Sequence, residues 1–538
     1  MVTRNILEAK SYNYTQYMDM NLDAEDLFSL LTRYQASLQN DEEPDISAYL
    51  GNLSFWIQIS AKDENIRAKL AQNESLVTQI RQVLVLAEAG GLTVSRLRVV
   101  RGIIILLRNL IPVIALHNKP ATEKFEHMLW QMIVVNSQNL NDDNRQIKLR
   151  TVTACIQCLC NAKTAQTYNQ TEVKSISEQE KLLTIGGIEA ISNISPQHSK
   201  DEEELWIGLL TLLAKCTSSD EFTADWISTY YESFREFTTA FKALYHDFGW
   251  KDGETDSDDI PEASSFTLLG LHVFLNVITN ARCYSLIGRL NQETKLDPLV
   301  ELLRVTQILS EGKEEGWTED RLISVCSWLM EYTKSLSKNI GKGSGKIEEI
   351  LKQYERRLTS TLDSISSLMR FPFVVKLMNS YKFLDVVLDL FKLVCQRPKR
   401  GKFDEATTGF DRENKAGIKG IIIEIISYLV SGNYANQEEV RKQHCLELVL
   451  DSSNLDLEEP FIRERAILCI RALMDKNRGN QDFVANLEVK GAKMDEKSRK
   501  IMEECGYKVD IVDGKVKLTA MAGNLRGGNI EELEELSK

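Results

Sequence analysis

The strongest constraint on the fold of this chain is a pair of stretches near its C-terminus that repeat each other without a gap. Ala416–Val440 aligns with Pro460–Val484 at an offset of 44 residues. The identical pairs are Ile418/Ile462, Ile423/Ile467, Ile426/Ile470, Leu429/Leu473, Asn433/Asn477, Asn436/Asn480, Gln437/Gln481 and Val440/Val484. A period of about 40–47 residues is typical of armadillo and HEAT repeats, which are built from two or three helices. Two unrelated amphipathic helices are the alternative, and the shared asparagines and glutamine disfavour it.

Within each copy, apolar residues recur at the spacing of one helix face. The matching stripes are Ile418, Ile422, Ile425, Ile426 and Leu429, and then Ile462, Ala466, Cys469, Ile470 and Leu473. Pro460 suits the first turn of the second helix, where its missing N–H is not needed. The pattern therefore predicts two equivalent helices, Ile418–Val430 and Ile462–Met474.

The asparagines predict how each helix ends and how the next begins. Asn433 and Asn477 follow the last apolar residue, where a left-handed residue is expected to stop the helix. Asn436 and Asn480 are then expected to be the N-caps of the next helix. Glu439, three residues after Asn436, would complete a capping box.

Looser copies of this unit extend through the rest of the chain. Nine prolines and 28 glycines leave long stretches free to be helical, and 43% hydrophobic residues suffice for a continuous core. The predicted fold is all-α, an armadillo/HEAT-like α-solenoid superhelix with about eight to ten repeats. Tyr507–Leu518 alternates apolar and polar residues around Asp513 and Gly514, which predicts a short C-terminal β-hairpin. A plain disordered tail is the alternative there.

The C-terminal pattern also resembles a known family. It consists of a helix ending in leucine, Asn-x-x-Asn-Gln, an Asp-rich bend, a Pro-Phe-Ile-Arg-Glu helix and a second Asn-x-x-Asn-Gln. The residues that carry it are Leu429, Asn433, Asn436, Gln437, Asp451, Leu455, Asp456, Pro460, Phe461, Ile462, Arg463, Glu464, Arg471, Leu473, Asn477, Asn480 and Gln481. The stretch is similar to the C-terminal domain of the ataxin-10 family. Two residues depart from the family pattern, Glu459 in place of Asn and Arg465 in place of Trp.

The resemblance implies an armadillo-like interaction protein of the cytoplasm, linked in that family to cytokinesis and cell maintenance. The resemblance covers 380–490, the ataxin-10-type repeats. Repeat character and composition add 1–379, divergent repeats with a polar insertion near 250–265, and 505–538, the hairpin or disordered tail and an acidic end. A fungal name in the family mentions copper transport, but no Met-rich pore or copper site is present in this sequence. No cofactor is expected.

Charge and composition narrow the classes of partner. The net charge of −13 disfavours nucleic acid and makes a basic protein partner easier to accommodate.

Ten scattered cysteines fit a reducing compartment. The N-terminus lacks the apolar core of a signal peptide. Val99–Leu116 is the most hydrophobic window, but Arg101, Arg108 and Pro112 favour a buried helix over a membrane span.

No motif points to an enzyme. Gly341–Lys346, GKGSGK, lacks the glycine spacing and the Ser/Thr of a phosphate loop, so a linker between helices is expected. Cys155, Cys158 and Cys160 have no second ligand cluster at metal-site spacing and are expected to pack in the core. The six histidines stand apart from any catalytic partner motif. Ser257 lies in an acidic stretch that suits a phosphosite or a solvated loop equally.

The candidate partner-binding residues lie opposite the core stripes of the two C-terminal helices. On the second helix this face carries Glu464, Leu468, Arg471 and Asp475, and one repeat earlier it carries Gly420, Glu424, Ser427 and Ser431. Leu468 is apolar among charges. It either packs on a neighbouring helix or, with Glu424, Glu464 and Arg471, binds a partner. The sequence thus favours a non-catalytic scaffold of unknown oligomeric state, and the alternative is a carrier or chaperone for a basic client.

Overall fold

The structure is a computed structural model. It describes residues 24–40, 46–88, 92–138, 140, 144–168, 177–248, 263–293, 297–343, 346–396, 417–453, 461–486, 507–512 and 515–520.

These residues form α-helices almost throughout. The helices are α1 Ala24–Gln39, α2 Ile46–Lys62, α3 Glu64–Gln72, α4 Glu74–Glu88, α5 Val94–His117, α6 Lys119–Ser137, α7 Arg145–Tyr168, α8 Glu178–Ser192, α9 Lys200–Cys216, α10 Asp220–Ser228, α11 Tyr231–Phe248, α12 Ser265–Ile278, α13 Cys283–Leu290, α14 Asp297–Glu311, α15 Glu319–Lys342, α16 Ile347–Leu368, α17 Pro372–Ser380, α18 Phe383–Cys395, α19 Ile418–Val430, α20 Tyr434–Lys442, α21 Cys445–Asp451, α22 Ile462–Met474 and α23 Arg478–Ala485. The all-α class predicted from the sequence is confirmed.

Side-chain caps explain where many of these helices begin. Ser199 accepts a hydrogen bond from Glu202 N, and the Glu202 carboxylate accepts one from Ser199 N at 3.2 Å, so α9 begins with a capping box. Thr93, Ser264 and Thr318 cap α5, α12 and α15 in the same way with one bond each. Each cap satisfies an N–H group that has no partner inside its own helix.

The chain divides into two compact units, Met1–Val386 and Val387–Lys538. In the first unit the helices stack in two layers. One layer consists of α1, α4, α6, α8, α11, α14 and α16, and the other consists of α2, α5, α7, α9 and α12, with each helix packed on the next of its layer. The short helices α3, α10 and α13 precede α4, α11 and α14. This is the arrangement of armadillo-like repeats, in which each unit buries its apolar face against its neighbours.

The most apolar helix, α5, lies inside this stack. By length and composition alone α5 could cross a membrane, but Val99–Leu107 are buried apart from the half-buried Arg101, and α5 packs against α2 and α7. Two of its polar side chains bond to neighbouring helices: Arg108 Nη1 donates to Gln157 Oε1 at 2.6 Å, and Asn109 Nδ2 donates to Ile57 O at 3.0 Å. The helix therefore packs as a core element, as its arginines predicted.

The second unit contains the two C-terminal copies of the repeat. Shifting α19, Ile418–Val430, by the offset of 44 residues gives the bounds of α22, Ile462–Met474. The short helices that follow, α20 and α23, begin at the same offset. The two long helices pack side by side. The periodicity therefore located both copies to the residue.

The predicted caps are shifted by three residues. The left-handed residues are Gly432, with φ 65°, and Lys476, with φ 55°. Asn433 is the N-cap of α20 and accepts a bond from Asn436 N at 3.2 Å, and Asn477 does the same for α23. Because the left-handed residue comes one position earlier than expected, the short helices begin directly after Asn433 and Asn477. Glu439 forms no capping box, and its carboxylate accepts a bond from Gln443.

Two strands follow the helices: β1, Tyr507–Val512, and β2, Lys515–Ala520, pair antiparallel with Val512 opposite Lys515. The turn at Asp513 and Gly514 lies outside the described residues, so the hairpin as a whole stays a prediction. Residues 250–262, 397–414, 454–460 and the acidic tail also lie outside them, together with Ser257 and Pro460. The division into 1–379, 380–490 and 505–538 stays a prediction as well.

Candidate protein-binding surface

The two sides of α22 differ in their surroundings. Of the predicted stripe, Ile462, Ala466, Cys469 and Leu473 are buried and Ile470 is half-buried. On the other side, Leu468 keeps 60% of its surface exposed and Ile467 keeps 49%. Large apolar side chains that stay in water are unusual when they cluster on one face, and such clusters commonly mark interaction sites.

Three of the four predicted residues lie together on this open side. Glu464, Leu468 and Arg471 are all exposed, at positions that a helix brings onto one face. We call Glu464, Ile467, Leu468 and Arg471 the α22 face. Leu468 is not buried, as it would be if it packed fully on a neighbouring helix, the alternative for it.

The fourth predicted residue, Glu424, is in a different environment. Its Oε2 lies 3.2 Å from Nε of Arg465, in an ion pair between α19 and α22 whose side chains are about one-third exposed. Arg465 is one of the two residues at which the sequence departs from the family pattern. The structure therefore does not place Glu424 on the α22 face.

Repeat equivalence explains the difference. The offset of 44 residues relates Gly420, Ile423, Glu424 and Ser427 of α19, which we call the α19 row, to Glu464, Ile467, Leu468 and Arg471 of α22. Every member of the α19 row is buried or half-buried, whereas every member of the α22 face is exposed. Periodicity assigned equivalent residues the same surroundings, because it cannot show on which of two equivalent helices a neighbouring helix packs. For the same reason it missed Ile467.

The Asn-x-x-Asn-Gln motifs join each long helix to the next element. Asn436 Nδ2 donates to Leu429 O at 2.8 Å, and Asn480 Nδ2 donates to Leu473 O at 2.9 Å. These bonds satisfy carbonyl groups at the helix C-terminus that have no partner within the helix. The motif is therefore structural, as predicted, but with the roles of its two asparagines exchanged. The first asparagine caps the following helix, and the second bonds to the end of the preceding helix.

Gln437 makes the bonds that connect one repeat to the next. Its buried Nε2 lies 3.3 Å from Val430 O, 2.9 Å from Ala472 O and 3.3 Å from Asp475 O. The equivalent Gln481 donates to Met474 O at 2.8 Å and is exposed. The first copy of the glutamine therefore reaches a following helix, and the second stands at an open surface.

The cysteines pack as small apolar residues. Cys155, Cys158 and Cys160 are buried on α7, as the sequence indicated. Burial raises the pKa of the Cys155 thiol, and it raises the pKa of Cys160 to about 12. Thiols that stay protonated are poor nucleophiles and poor metal ligands. Within the described ranges, no three His, Cys, Asp or Glu side chains come together as metal ligands would.

The motifs that might suggest catalysis have plain surroundings. Gly341 and Lys342 end α15, and α16 begins at Ile347, so the GKGSGK stretch joins two helices. A pocket of about 460 Å³ is lined by Ser137, Gln138, Ala190 and Asn193, none of which titrates near neutral pH. Neither place offers a nucleophile beside a base.

The stacked repeats and the surface on α22 define an α-helical repeat protein of the armadillo type. The profile of the spinocerebellar ataxia type 10 protein domain matches residues 418–519. The Ataxin-10 homolog of Debaryomyces hansenii is 25% identical over 497 residues, which cover 88% of this chain and 92% of that protein. The Ataxin-10 homolog of Saccharomyces cerevisiae is 24% identical over 559 residues, covering 92% and 96%.

This chain is therefore similar to ataxin-10 proteins over most of its length, and the family's domain matches its C-terminal part, as the C-terminal motifs indicated. Among solved structures, SYS-1 is similar over 90% of this chain and 94% of that one, at 11% identity and a TM-score of 0.30. A score this low does not show a common arrangement of helices. The fold class therefore rests on the packing of the helices themselves.

Proposed function

We propose that this protein is a non-catalytic cytoplasmic scaffold that binds other proteins, and that the α22 face is one of its binding surfaces. The observation that carries the proposal is the exposure of Leu468 and Ile467 between Glu464 and Arg471. An apolar centre with a charged rim is how protein interfaces are commonly built. Family resemblance supports roles in cytokinesis and cell maintenance.

A carrier for a basic client is the second candidate, and the net charge of −13 favours it. The two functions differ in the number and chemistry of partners. One stoichiometric basic protein would indicate the carrier, whereas several different proteins would indicate the scaffold.

Affinity capture from cell extract with the full chain tests the proposal. Leu468→Asp places a charge at the centre of the surface and is expected to remove at least one captured protein. Leu268 on α12 is 58% exposed and provides a matched control, so Leu268→Asp should leave the captured set unchanged. If Leu468→Asp captures the same proteins as the unaltered chain, the proposed surface is wrong.

A further inference from the structure

The α22 face has the construction of a surface on which another helix packs. In the preceding repeat, the α19 row occupies the same positions and α22 lies beside it, with Glu424 paired to Arg465. Leu468 is the repeat equivalent of Glu424. A helix that packed on α22 as α22 packs on α19 would therefore place its equivalent of Arg465 opposite Leu468, where an apolar residue would fit.

Gln481 gives the same indication from a second element. Its equivalent, Gln437, donates to Ala472 O and Asp475 O at the C-terminus of the following helix. Gln481 is exposed at the corresponding place. A helix docked in this register would end beside Gln481, whose amide could donate to its last carbonyls. The register thus also fixes the direction of the docked helix.

The chain does not provide that helix at its next repeat position. Adding the offset of 44 residues to Ile462–Met474 gives 506–518, and the described part of this stretch forms β1 and most of β2. Terminal units of helical repeat proteins usually present a polar outer face. Here the outer face of α22 has Ile467 and Leu468 at its centre.

We propose that the α22 face binds an amphipathic α-helix of a partner protein, in the register in which α22 packs on α19. This inference rests on the function proposed above and specifies the partner. Its apolar stripe lies on Ile467 and Leu468, and acidic side chains flank the stripe. The sign of those charges follows from the groups within one turn of Ile467 and Leu468, where Arg463 and Arg471 are exposed beside one acid, Glu464. Asp475 lies a further turn toward the C-terminus, so basic groups prevail around the apolar pair although the whole chain carries −13. Docking of an apolar helix face is a common mode of peptide recognition.

Synthetic helices provide the test. Two fluorescein-labelled peptides of about 16 residues share one apolar stripe and carry either glutamate or lysine on its flanks. Fluorescence anisotropy with the full chain should show tighter binding of the glutamate peptide. Leu468→Asp should weaken that binding at least about tenfold. Arg471→Glu should weaken the glutamate peptide and strengthen the lysine peptide.

Two further variants sharpen the result. Gln481→Ala should weaken binding by about two- to tenfold, as expected for one lost hydrogen bond. Leu268→Asp should have no effect. Failure of both peptides to bind, or binding that Leu468→Asp and Arg471→Glu leave unchanged, overturns the inference. If Leu468→Asp still removes captured proteins from extract in that case, the proposed function survives and only the helical nature of the partner is wrong.

The identity of the occupant is tested in the same full chain. A photo-crosslinking amino acid at position 468 should react with the bound glutamate peptide. In the absence of peptide, a crosslink to residues 487–506 would show that the chain covers the face itself. A crosslink to a second copy would show self-association. Either result overturns the assignment to a partner helix.

Discussion

At the scale of single residues, the repeat offers natural pairs of positions that differ in one property. Gly432 and Lys476 occupy the same left-handed position, with φ 65° and 55°. A residue with a Cβ atom pays roughly 1–2 kcal/mol for this conformation, whereas glycine does not. The pair therefore separates backbone strain from side-chain contacts.

Exchanging the two residue types should change stability in opposite directions. A Cβ added at Gly432 meets nothing within 4 Å, so Gly432→Ala should lower the free energy of unfolding by about 1 kcal/mol through the backbone alone. Lys476→Gly should raise it by only about 0.5 kcal/mol. Glycine relieves the backbone strain, but it also increases the entropy of the unfolded chain, which offsets part of the gain. Urea denaturation measures both. Equal effects of the same sign would contradict the left-handed assignment.

The buried thiols make a second prediction at this scale. Burial holds the pKa of Cys155, Cys158 and Cys469 above the ordinary thiol value of about 8.5. At about pH 9 these thiols stay protonated in the folded chain while those of the unfolded chain ionise. The folded state then binds more protons, so stability falls as pH rises through this range.

Alkylation with iodoacetamide, followed by mass spectrometry of peptides, measures this protection. At about pH 9 the three thiols should react only after unfolding in guanidinium. The half-buried Cys395 is an internal comparison and should react faster. Equally fast alkylation of Cys155 in the folded and unfolded chains would contradict core packing.

At the scale of helices, the period of the sequence predicted more than its capping residues did. The offset of 44 residues located α19 and α22 because apolar stripes reflect burial over a whole helix. The caps were misplaced because asparagine suits both an N-cap and a left-handed stop, and sequence alone does not separate the two. Glu424 was assigned to an open face because the repeat pattern does not show that α22 packs on this side of α19.

Removing the last repeat tests the stacking of these helices. Ile421, Ile422, Ile423, Ile425 and Ile426 of α19 are all buried, and α22 packs against this helix. Truncation before Pro460 removes α22 and should expose part of that surface, so the shortened chain should aggregate or melt at a lower temperature. Thermal melting followed by circular dichroism measures this, with the full chain as control. A truncated chain that is equally soluble and stable would show that the two repeats do not stack.

At the scale of the whole molecule, the described residues form a succession of helices in which burial and capping recur from one helix to the next. Far-UV circular dichroism should accordingly show a strongly helical protein with little strand. The proposed function in binding rests on large apolar side chains that stay exposed, and on α22 these are Ile467 and Leu468. The proposed binding surface therefore depends on the contrast between the two sides of this helix.

That contrast is measured most directly by the melting temperatures of Leu468→Asp and Leu473→Asp. The two positions lie on one helix, with 60% and 0% of the side chain exposed. Leu468→Asp should change the melting temperature by no more than about 2 °C, since exposed substitutions rarely exceed about 0.5 kcal/mol. Leu473→Asp should destabilise the protein by about 4 kcal/mol or more, because it buries a charge. If Leu468→Asp unfolds the protein as Leu473→Asp does, Leu468 belongs to the core and the α22 face is not a binding surface.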